Sequence, residues 1–205
     1  MRLFRPGFFS GWLYPEAIFR LKAREKALCL TFDDGPDPDS TKKILDILAR
    51  KNVKAIFFCN GKVAEKYPDI IVAIKLEGHL VGNHGYEHMD GWTNSLESFM
   101  NNVMLAAPFT SSLLFRPPYG HLRLNQYRKL RSAFMIMLWD LMSFDFDNSF
   151  GAENTLRALK EKIRPGSVIV LHDTTQSSAI SILDDFIEFS SVAGLRFILP
   201  QLNEK

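Results

Sequence analysis

The stretch that decides the fold is Ala27–Pro36, which reads ALCLTFDDGP. Its first six residues are apolar or β-branched, a pattern typical of a strand that is buried on both faces. Asp33 and Asp34 follow this strand directly, and the Gly-Pro pair after them predicts a turn. Two adjacent carboxylates at the end of a buried strand are costly unless cations neutralise them. A metal ion for one and an arginine for the other would do so.

Short strand-like runs recur along the chain, and helix-like stretches lie between most of them. The predicted strands are Ala27–Phe32, Ala55–Cys59, His79–Val81, Leu113–Phe115, Phe134–Trp139, Ser167–Leu171 and Leu195–Leu199. The predicted helices are Thr41–Lys51, Asp69–Glu77, Ser95–Ala107, Ala152–Ile163 and Ala179–Val192. This alternation predicts an α/β fold in which helices cover a parallel sheet, either open or closed into a barrel. Neither a Gly-rich dinucleotide fingerprint nor a P-loop follows any strand, which argues against nucleotide binding.

The length and the charge of the chain limit the classes of function. A chain of 205 residues fits one domain, and a net charge of +2 is too balanced to indicate a nucleic-acid partner. The two cysteines, Cys29 and Cys59, lie inside strand-like runs, so we expect buried thiols rather than a disulfide framework. The composition therefore predicts an ordinary globular protein.

We predict that residues 1–26 form a basic, aromatic lead-in to a domain over residues 27–205. The lead-in holds six Lys or Arg residues against two Glu, and its aromatic residues are Phe4, Phe8, Phe9, Trp12, Tyr14 and Phe19. Two interpretations are open: the aromatics pack against the domain, or the segment contacts an anionic membrane surface. The short apolar run between Pro6 and Pro15 predicts neither a cleavable signal peptide nor a transmembrane span. The expected location is therefore cytoplasmic or membrane-peripheral.

Residues with catalytic potential follow the carboxyl ends of the predicted strands. In barrel enzymes these ends converge on one mouth, where the active site is built. The residues concerned are Asp33, Asp34, His84, Arg116, Asp145 and His172. Their shared position predicts a single active site.

His84 and His88 have a spacing that brings two imidazoles together if the segment makes a helical turn. With a carboxylate such as Asp34 they supply three protein ligands and leave an open position for water, which is typical of a catalytic metal site. His172 ends an apolar strand and is placed to act as a general acid if a carboxylate holds its other ring nitrogen. Asp145 is the preferred partner, and Asp173 is the alternative.

Arg116 opens a loop, RPPYG, whose two prolines fix the backbone and whose glycine permits a tight turn. The guanidinium could orient a carboxylate through two hydrogen bonds. Backbone N–H groups after the prolines could face a developing oxyanion.

Together these residues resemble, in order, the five motifs of the NodB-type polysaccharide deacetylases, carbohydrate esterase family 4. The resemblance runs from Thr31 to Asp173 and implies a distorted (β/α)7 barrel, the NodB homology fold. It implies a metal-dependent hydrolase that removes N-acetyl groups from amino-sugar residues of a poly- or oligosaccharide. One divalent ion is implied, zinc first and cobalt or manganese as alternatives, with an N-acetylated glycan as substrate and no protein partner. Two other functions stay open: a deformylase or deacetylase of a lipid-linked sugar, and an inactive carbohydrate-binding protein.

The same resemblance implies a role for each site residue. Asp33 is the general base, and Arg116 tethers it. The implied metal ligands are Asp34, His84 and His88. His172 is the general acid, and the pocket around the acetyl group and its oxyanion is formed by the Tyr119 N–H, Leu171 and Phe146.

Three positions depart from the family pattern. Gly85 stands where Ser or Thr is usual, Met89 stands where Pro is usual, and Phe146 replaces a Trp after Asp145. A phenyl ring can still form a wall of an acetyl pocket, but it lacks the indole N–H donor. These departures bear on substrate detail more than on the reaction.

Overall fold

The computed structural model describes residues 2–7, 10–22 and 26–202. Phe8 and Phe9 of the predicted lead-in lie outside the described residues. The strands are β1 (Ala27–Asp33), β2 (Ile56–Cys59), β3 (Leu80–Asn83), β4 (Leu114–Phe115), β5 (Met135–Ile136), β6 (Leu141–Met142), β7 (Val168–His172) and β8 (Arg196–Phe197). They form one sheet in the order β5-β4-β3-β2-β1-β7-β6, with β8 beside the start of β1. Every strand pair is parallel, which confirms the predicted α/β class.

Helices lie between the strands, as the alternating pattern predicts. They are α1 (Ser10–Leu13), α2 (Ser40–Arg50), α3 (Gly61–Lys66), α4 (Pro68–Leu76), α5 (Leu96–Thr110), α6 (Leu124–Leu130), α7 (Ala152–Lys162) and α8 (Ala179–Val192), with a 3₁₀ turn at Pro118–Gly120. The five predicted helices are present with ends shifted by up to three residues. Helices α1, α3 and α6 are absent from the prediction, because helices of four to seven residues are too short for a periodic apolar pattern.

The predicted strand Phe134–Trp139 is wrong in its length. Only Met135–Ile136 forms β5, and a separate strand, β6, begins at Leu141. The backbone changes partners here: the Met137 N–H donates to Phe115, whereas the N–H of Leu138 donates to Ile18 in the lead-in. An apolar run cannot reveal such a change, because each segment remains buried.

Strand β1 is buried on both faces, and its residues alternate between two cores. Leu28, Leu30 and Phe32 belong to the main cluster, which includes apolar residues of α2, α4 and α8. Cys29 belongs to another cluster, with Phe58 of β2 among its members. Since side chains alternate along a strand, Thr31 and Asp33 point to the same side as Cys29. This is the side on which the candidate site lies.

Parts of the lead-in pack against the domain. Ile18 forms a parallel bridge with Met137, and Arg20 forms an antiparallel bridge with Ser167. Phe4 packs against the main core, and Arg5 binds the buried carboxylate of Asp140. These contacts fit the interpretation in which the lead-in covers the domain.

Candidate active site

Two strands place a carboxylate and an imidazole directly opposite each other. Asp33 ends β1 and His172 ends β7, and the two are partners in the parallel register. His84 directly follows β3, and Arg116 directly follows β4. Because all four strands run in the same direction, these side chains share one edge of the sheet.

Arg116 is fully buried and holds Asp33 in place. Its Nη1 donates to Asp33 Oδ1 at 2.6 Å and to the Thr31 hydroxyl at 2.7 Å. Its other nitrogens donate to the carbonyl oxygens of Leu138 at 3.0 Å and Met137 at 3.2 Å. The guanidinium is thus fixed from several directions, and it fixes the orientation of the Asp33 carboxylate in turn.

The ring of Phe58 packs against one face of the Arg116 guanidinium. Arg116 Cζ lies 4.1 Å from the ring centroid of Phe58, within the range of a cation–π contact. The neighbouring residue on β3, Gly82, leaves the space that this ring needs: a Cβ there would lie 2.3 Å from the Phe58 ring. Gly82 therefore positions Phe58, and Phe58 supports Arg116.

Asp34, His84 and His88 form a cluster with the donor set of a metal site. One ligand atom from each lies within 4.8 Å of the others. Asp34 Oδ1 is 3.0 Å from His88 Nε2 and 3.5 Å from His84 Nε2. Burial alone raises the pKa of Asp34, but positive charge on the two facing imidazoles brings it well below its ordinary range. A cation held between the three groups would favour the ionised carboxylate in the same way.

The hydrogen bonds around this cluster fit a cation. His84 Nδ1 lies 2.8 Å from the carbonyl oxygen of Arg116, so we assign the ring proton to Nδ1 and leave the lone pair on Nε2 toward Asp34. Asp34 Oδ1 is buried and accepts no hydrogen bond among the described residues. An ionised oxygen without a donor, facing an imidazole lone pair, is the arrangement that a divalent ion would satisfy.

His84 and His88 are brought together by a loop and not by the helical turn that their spacing predicts. Residues 84–88 form no helix. The ring centroids of His84 and His88 are nonetheless 5.1 Å apart. Gly85 at φ +77° and His88 at φ +51° turn the chain sharply. The Asn102 side chain of α5 accepts from the Tyr86 N–H at 2.9 Å and so holds this loop. Glycine adopts a φ of +77° with less strain than any residue that has a side chain. This conformation explains why glycine occupies position 85, where the family usually has Ser or Thr.

Of the two candidate partners of His172, the structure places Asp145 against its ring. His172 Nδ1 lies 2.8 Å from Asp145 Oδ1, and Asp145 also accepts from the hydroxyls of Ser143 at 2.6 Å and Ser177 at 2.5 Å. Burial alone lowers the pKa of His172, but the Asp145 carboxylate raises it, and the resulting pKa is about 9. At neutral pH the His172 ring is therefore protonated on both nitrogens and carries a positive charge.

Asp173 has a different set of partners. Its carboxylate accepts from the Gly35 N–H at 2.9 Å and from the Thr41 hydroxyl at 2.6 Å. It therefore braces the turn that follows Asp34.

The three residues predicted to form the acetyl pocket lie in different surroundings. Phe146 is half exposed and its ring lies 4.9 Å from that of His172. Tyr119 is exposed, its φ is +59°, and its ring lies 4.5 Å from that of His88. Leu171 is fully buried in the main core cluster. The role of all three in an acetyl pocket stays a prediction.

Several residues that support the site carry no recognisable signal in the sequence. Phe58, Gly82 and Asn102 orient site residues from a distance, and their sequence contexts are those of an ordinary strand and an ordinary helix. One signal was available for Asn102: a polar residue on a helix otherwise rich in apolar residues needs a buried partner.

Comparison with known proteins identifies the class. A family model described as polysaccharide deacetylase matches residues 20–134, and the chain belongs to this family. A peptidoglycan-N-acetylglucosamine deacetylase of Bacillus cereus is 36% identical over 186 residues, which cover 85% of this chain and 67% of that protein. A chitooligosaccharide deacetylase of Sinorhizobium fredii is 30% identical over 200 residues, covering 94% of this chain and 93% of that protein.

The solved structures agree with the sequence comparison. A crystal structure of a peptidoglycan N-acetylglucosamine deacetylase superimposes with a TM-score of 0.86 at 32% identity, covering 94% of each chain. The predicted NodB-type (β/α)7 fold is thereby confirmed, in the form of a curled half-barrel of parallel strands.

Proposed function

We propose that this chain is a metal-dependent hydrolase that removes N-acetyl groups from amino-sugar residues of a poly- or oligosaccharide. The observation that carries the proposal is that three functional groups of side chains lie at one edge of the sheet. These are a carboxylate tethered by an arginine, an Asp-His-His cluster and a protonated histidine backed by a carboxylate. A carbohydrate-binding protein without catalysis has no need of this combination.

The residues divide the proton transfers between them. Asp33, held at Oδ1 by Arg116, accepts a proton from the attacking water. His172, held at Nδ1 by Asp145, gives a proton to the departing amine from its other ring nitrogen. The Tyr119 N–H is the proposed donor to the developing oxyanion. Since the base must be ionised and the acid protonated, the rate should follow a bell-shaped pH profile.

Asp34, His84 and His88 are the proposed ligands of one divalent ion. Such an ion supplies a Lewis acid for the amide carbonyl and lowers the pKa of water at its open position. Two imidazoles and one carboxylate suit zinc, with cobalt or manganese as alternatives.

The test measures bound metal before any substrate is chosen. We expect about one zinc ion per chain in the wild type by elemental analysis, and none in the Asp34→Ala/His84→Ala double variant. Asp184→Ala, which removes a carboxylate from the outer helix α8, is the control and should retain the metal. Release of acetate from N-acetylglucosamine oligomers and from peptidoglycan should disappear together with the metal. No metal in the wild type after incubation with zinc, cobalt or manganese would overturn the proposal and favour an inactive carbohydrate-binding protein.

The substrate proposal rests on the relatives, which are named for peptidoglycan and for chitooligosaccharides. We therefore propose an N-acetylated glycan of one of these kinds. A lipid-linked sugar is the second candidate, and the three are distinguished when such a sugar is added to the assay and release of both acetate and formate is measured.

We propose further that the lead-in, residues 1–26, touches an anionic membrane surface while the domain over residues 27–205 carries the reaction. What supports this is the 80% exposure of Trp12. Trp12 and Leu13 line a surface cavity of about 280 Å³ together with Arg128 and Arg131 of the domain. An exposed tryptophan beside arginines suits a headgroup boundary. No helix in the described ranges is long and apolar enough to cross a bilayer.

A further inference from the structure

An exposed tryptophan lies flat on a histidine near the candidate site. The rings of Trp92 and His121 are stacked with their centroids 3.6 Å apart and their planes 6° from parallel. Trp92 is 55% exposed. One face of the indole is therefore covered by the imidazole, and much of the remaining ring surface is open to solvent.

Aromatic rings connect this pair to the proposed metal ligands. The His121 ring lies 5.7 Å from that of Tyr119, and the Tyr119 ring lies 4.5 Å from that of His88. Trp92 thus stands at the outer end of a continuous row of rings that begins at the Asp-His-His cluster.

Hydrogen bonds hold the pair in position. Asp90 Oδ2 lies 3.0 Å from His121 Nδ1, and Asp90 Oδ1 accepts from the Trp92 N–H at 2.7 Å. The Gln126 side chain of α6 donates to the Gly91 carbonyl oxygen at 2.9 Å. A Cβ on Gly91 would lie 2.2 Å from the His121 carbonyl oxygen, so the two loops are in direct backbone contact. A surface fixed in this way loses little conformational entropy when it binds a ligand.

We propose that Trp92, backed by His121, is a subsite that binds a sugar ring of the glycan chain beyond the residue being deacetylated. The inference rests on the proposed function, because it takes the occupant to be a further residue of the same substrate. The C–H face of a pyranose ring is apolar and packs against an aromatic face, while its hydroxyls need polar groups at the edge. The row of rings leads from the reacting centre to this face. It therefore suits a substrate that continues past the site.

The test compares substrates of different length. N-acetylglucosamine oligomers of one to five residues are hydrolysed by the zinc-loaded protein, and KM and kcat are measured for each. Trp92→Ala should raise KM for the longest oligomers about tenfold, which corresponds to about 1.4 kcal/mol of contact. The change should diminish as the oligomer becomes too short to reach the indole. His121→Ala should produce the same dependence on length, since it removes the support of the ring.

Two further variants separate a binding role from a structural one. Trp92→Phe keeps an aromatic face and should restore most of the affinity for long oligomers. Phe189→Ala removes a partly exposed aromatic from the outer helix α8 and should change KM at no length. A KM for Trp92→Ala that is unchanged, or raised equally at every length, would overturn the subsite.

The failure of the proposed function has a different signature. It would appear as no acetate release by the wild type from any oligomer with zinc, cobalt or manganese. In that case binding of the N-acetylglucosamine tetramer, followed by NMR titration, tests the subsite directly. About tenfold weaker binding by Trp92→Ala supports the subsite, and equal binding overturns it.

Discussion

Arg116 and Asp33 form a buried ion pair in the site, and replacing the arginine tests what this pair contributes. In Arg116→Met a side chain of similar length fills the space above Phe58 but has no charge and no donors. Asp33 is then left 4% exposed and without its cation, and the carbonyl oxygens of Met137 and Leu138 lose their donors. The variant therefore leaves buried groups unpaired, which is the expensive way to remove an ion pair.

The expected size of the effect follows from the burial. Removing one partner of a buried ion pair typically costs about 3–5 kcal/mol of unfolding free energy. In a domain of about 150–250 residues each kcal/mol lowers Tm by about 2–4 °C, so the expected fall in Tm is roughly 6–20 °C. Urea unfolding followed by circular dichroism gives the free energy, and calorimetry gives Tm.

A double-mutant cycle isolates the charge. Asp33→Asn removes the carboxylate charge that Arg116→Met leaves uncompensated, so the double variant should be more stable than the sum of the single effects predicts. Interaction energies of about 0.5–3 kcal/mol are typical of residues in direct contact. Arg50→Met is the matched control: that side chain is 61% exposed and pairs with Asp184, so we expect a change of about 0.5 kcal/mol or less.

Two results would contradict a buried ion pair that holds the Asp33 charge: a cost below about 1 kcal/mol for Arg116→Met, or additive effects of the two substitutions. The first result would mean that water or another group replaces the guanidinium. The second would mean that Arg116 stabilises the fold through its carbonyl contacts alone and does not hold the Asp33 charge.

The remaining predictions concern the acid and the lead-in. Asp145→Asn removes the charge that raises the His172 pKa to about 9, so burial then lowers this pKa and the alkaline limb of kcat/KM moves to lower pH. An unmoved limb would show that another group sets it. Trp12→Ser should reduce sedimentation of the protein with phosphatidylserine vesicles and have no effect with neutral phosphatidylcholine vesicles. Equal sedimentation of both proteins would remove the lead-in tryptophan from membrane contact.

The common edge of the site was predictable because one local rule governs it. A strand buried on both faces appears in the sequence as an unbroken apolar run, and the first polar residue after the run marks the strand end. Asp33 and His172 are both found in this way, and the parallel register then places them opposite each other. Each strand end can be located from local sequence alone, whereas the placement of the two residues opposite each other depends on the long-range pairing of β1 with β7.

The contacts that decide between alternatives were not predictable in the same way. Whether Asp145 or Asp173 meets His172 depends on how the loop after β6 folds back over β7. Distance along the chain would favour Asp173, the next residue, yet Asp145, 27 residues away, makes the contact. The meeting of His84 and His88 depends on positive φ angles at Gly85 and His88. For His88 such an angle is uncommon, and histidine's modest preference for positive φ is too weak to predict it from the sequence.

Asp145 and Asp173, the two candidate partners of His172, connect different parts of the site. Asp145 holds the ring of His172, whereas Asp173, the next residue, accepts from the Gly35 N–H in the turn after Asp34. A Cβ on Gly35 would lie 2.0 Å from Asp173 Oδ2, so this glycine is required for the close approach. The end of β7 is thereby joined to the turn that directly follows Asp33 and Asp34, the proposed base and a proposed metal ligand. The proposed acid cannot shift relative to either without breaking a buried hydrogen bond, and this explains how short strand ends hold three chemical groups in one fixed geometry.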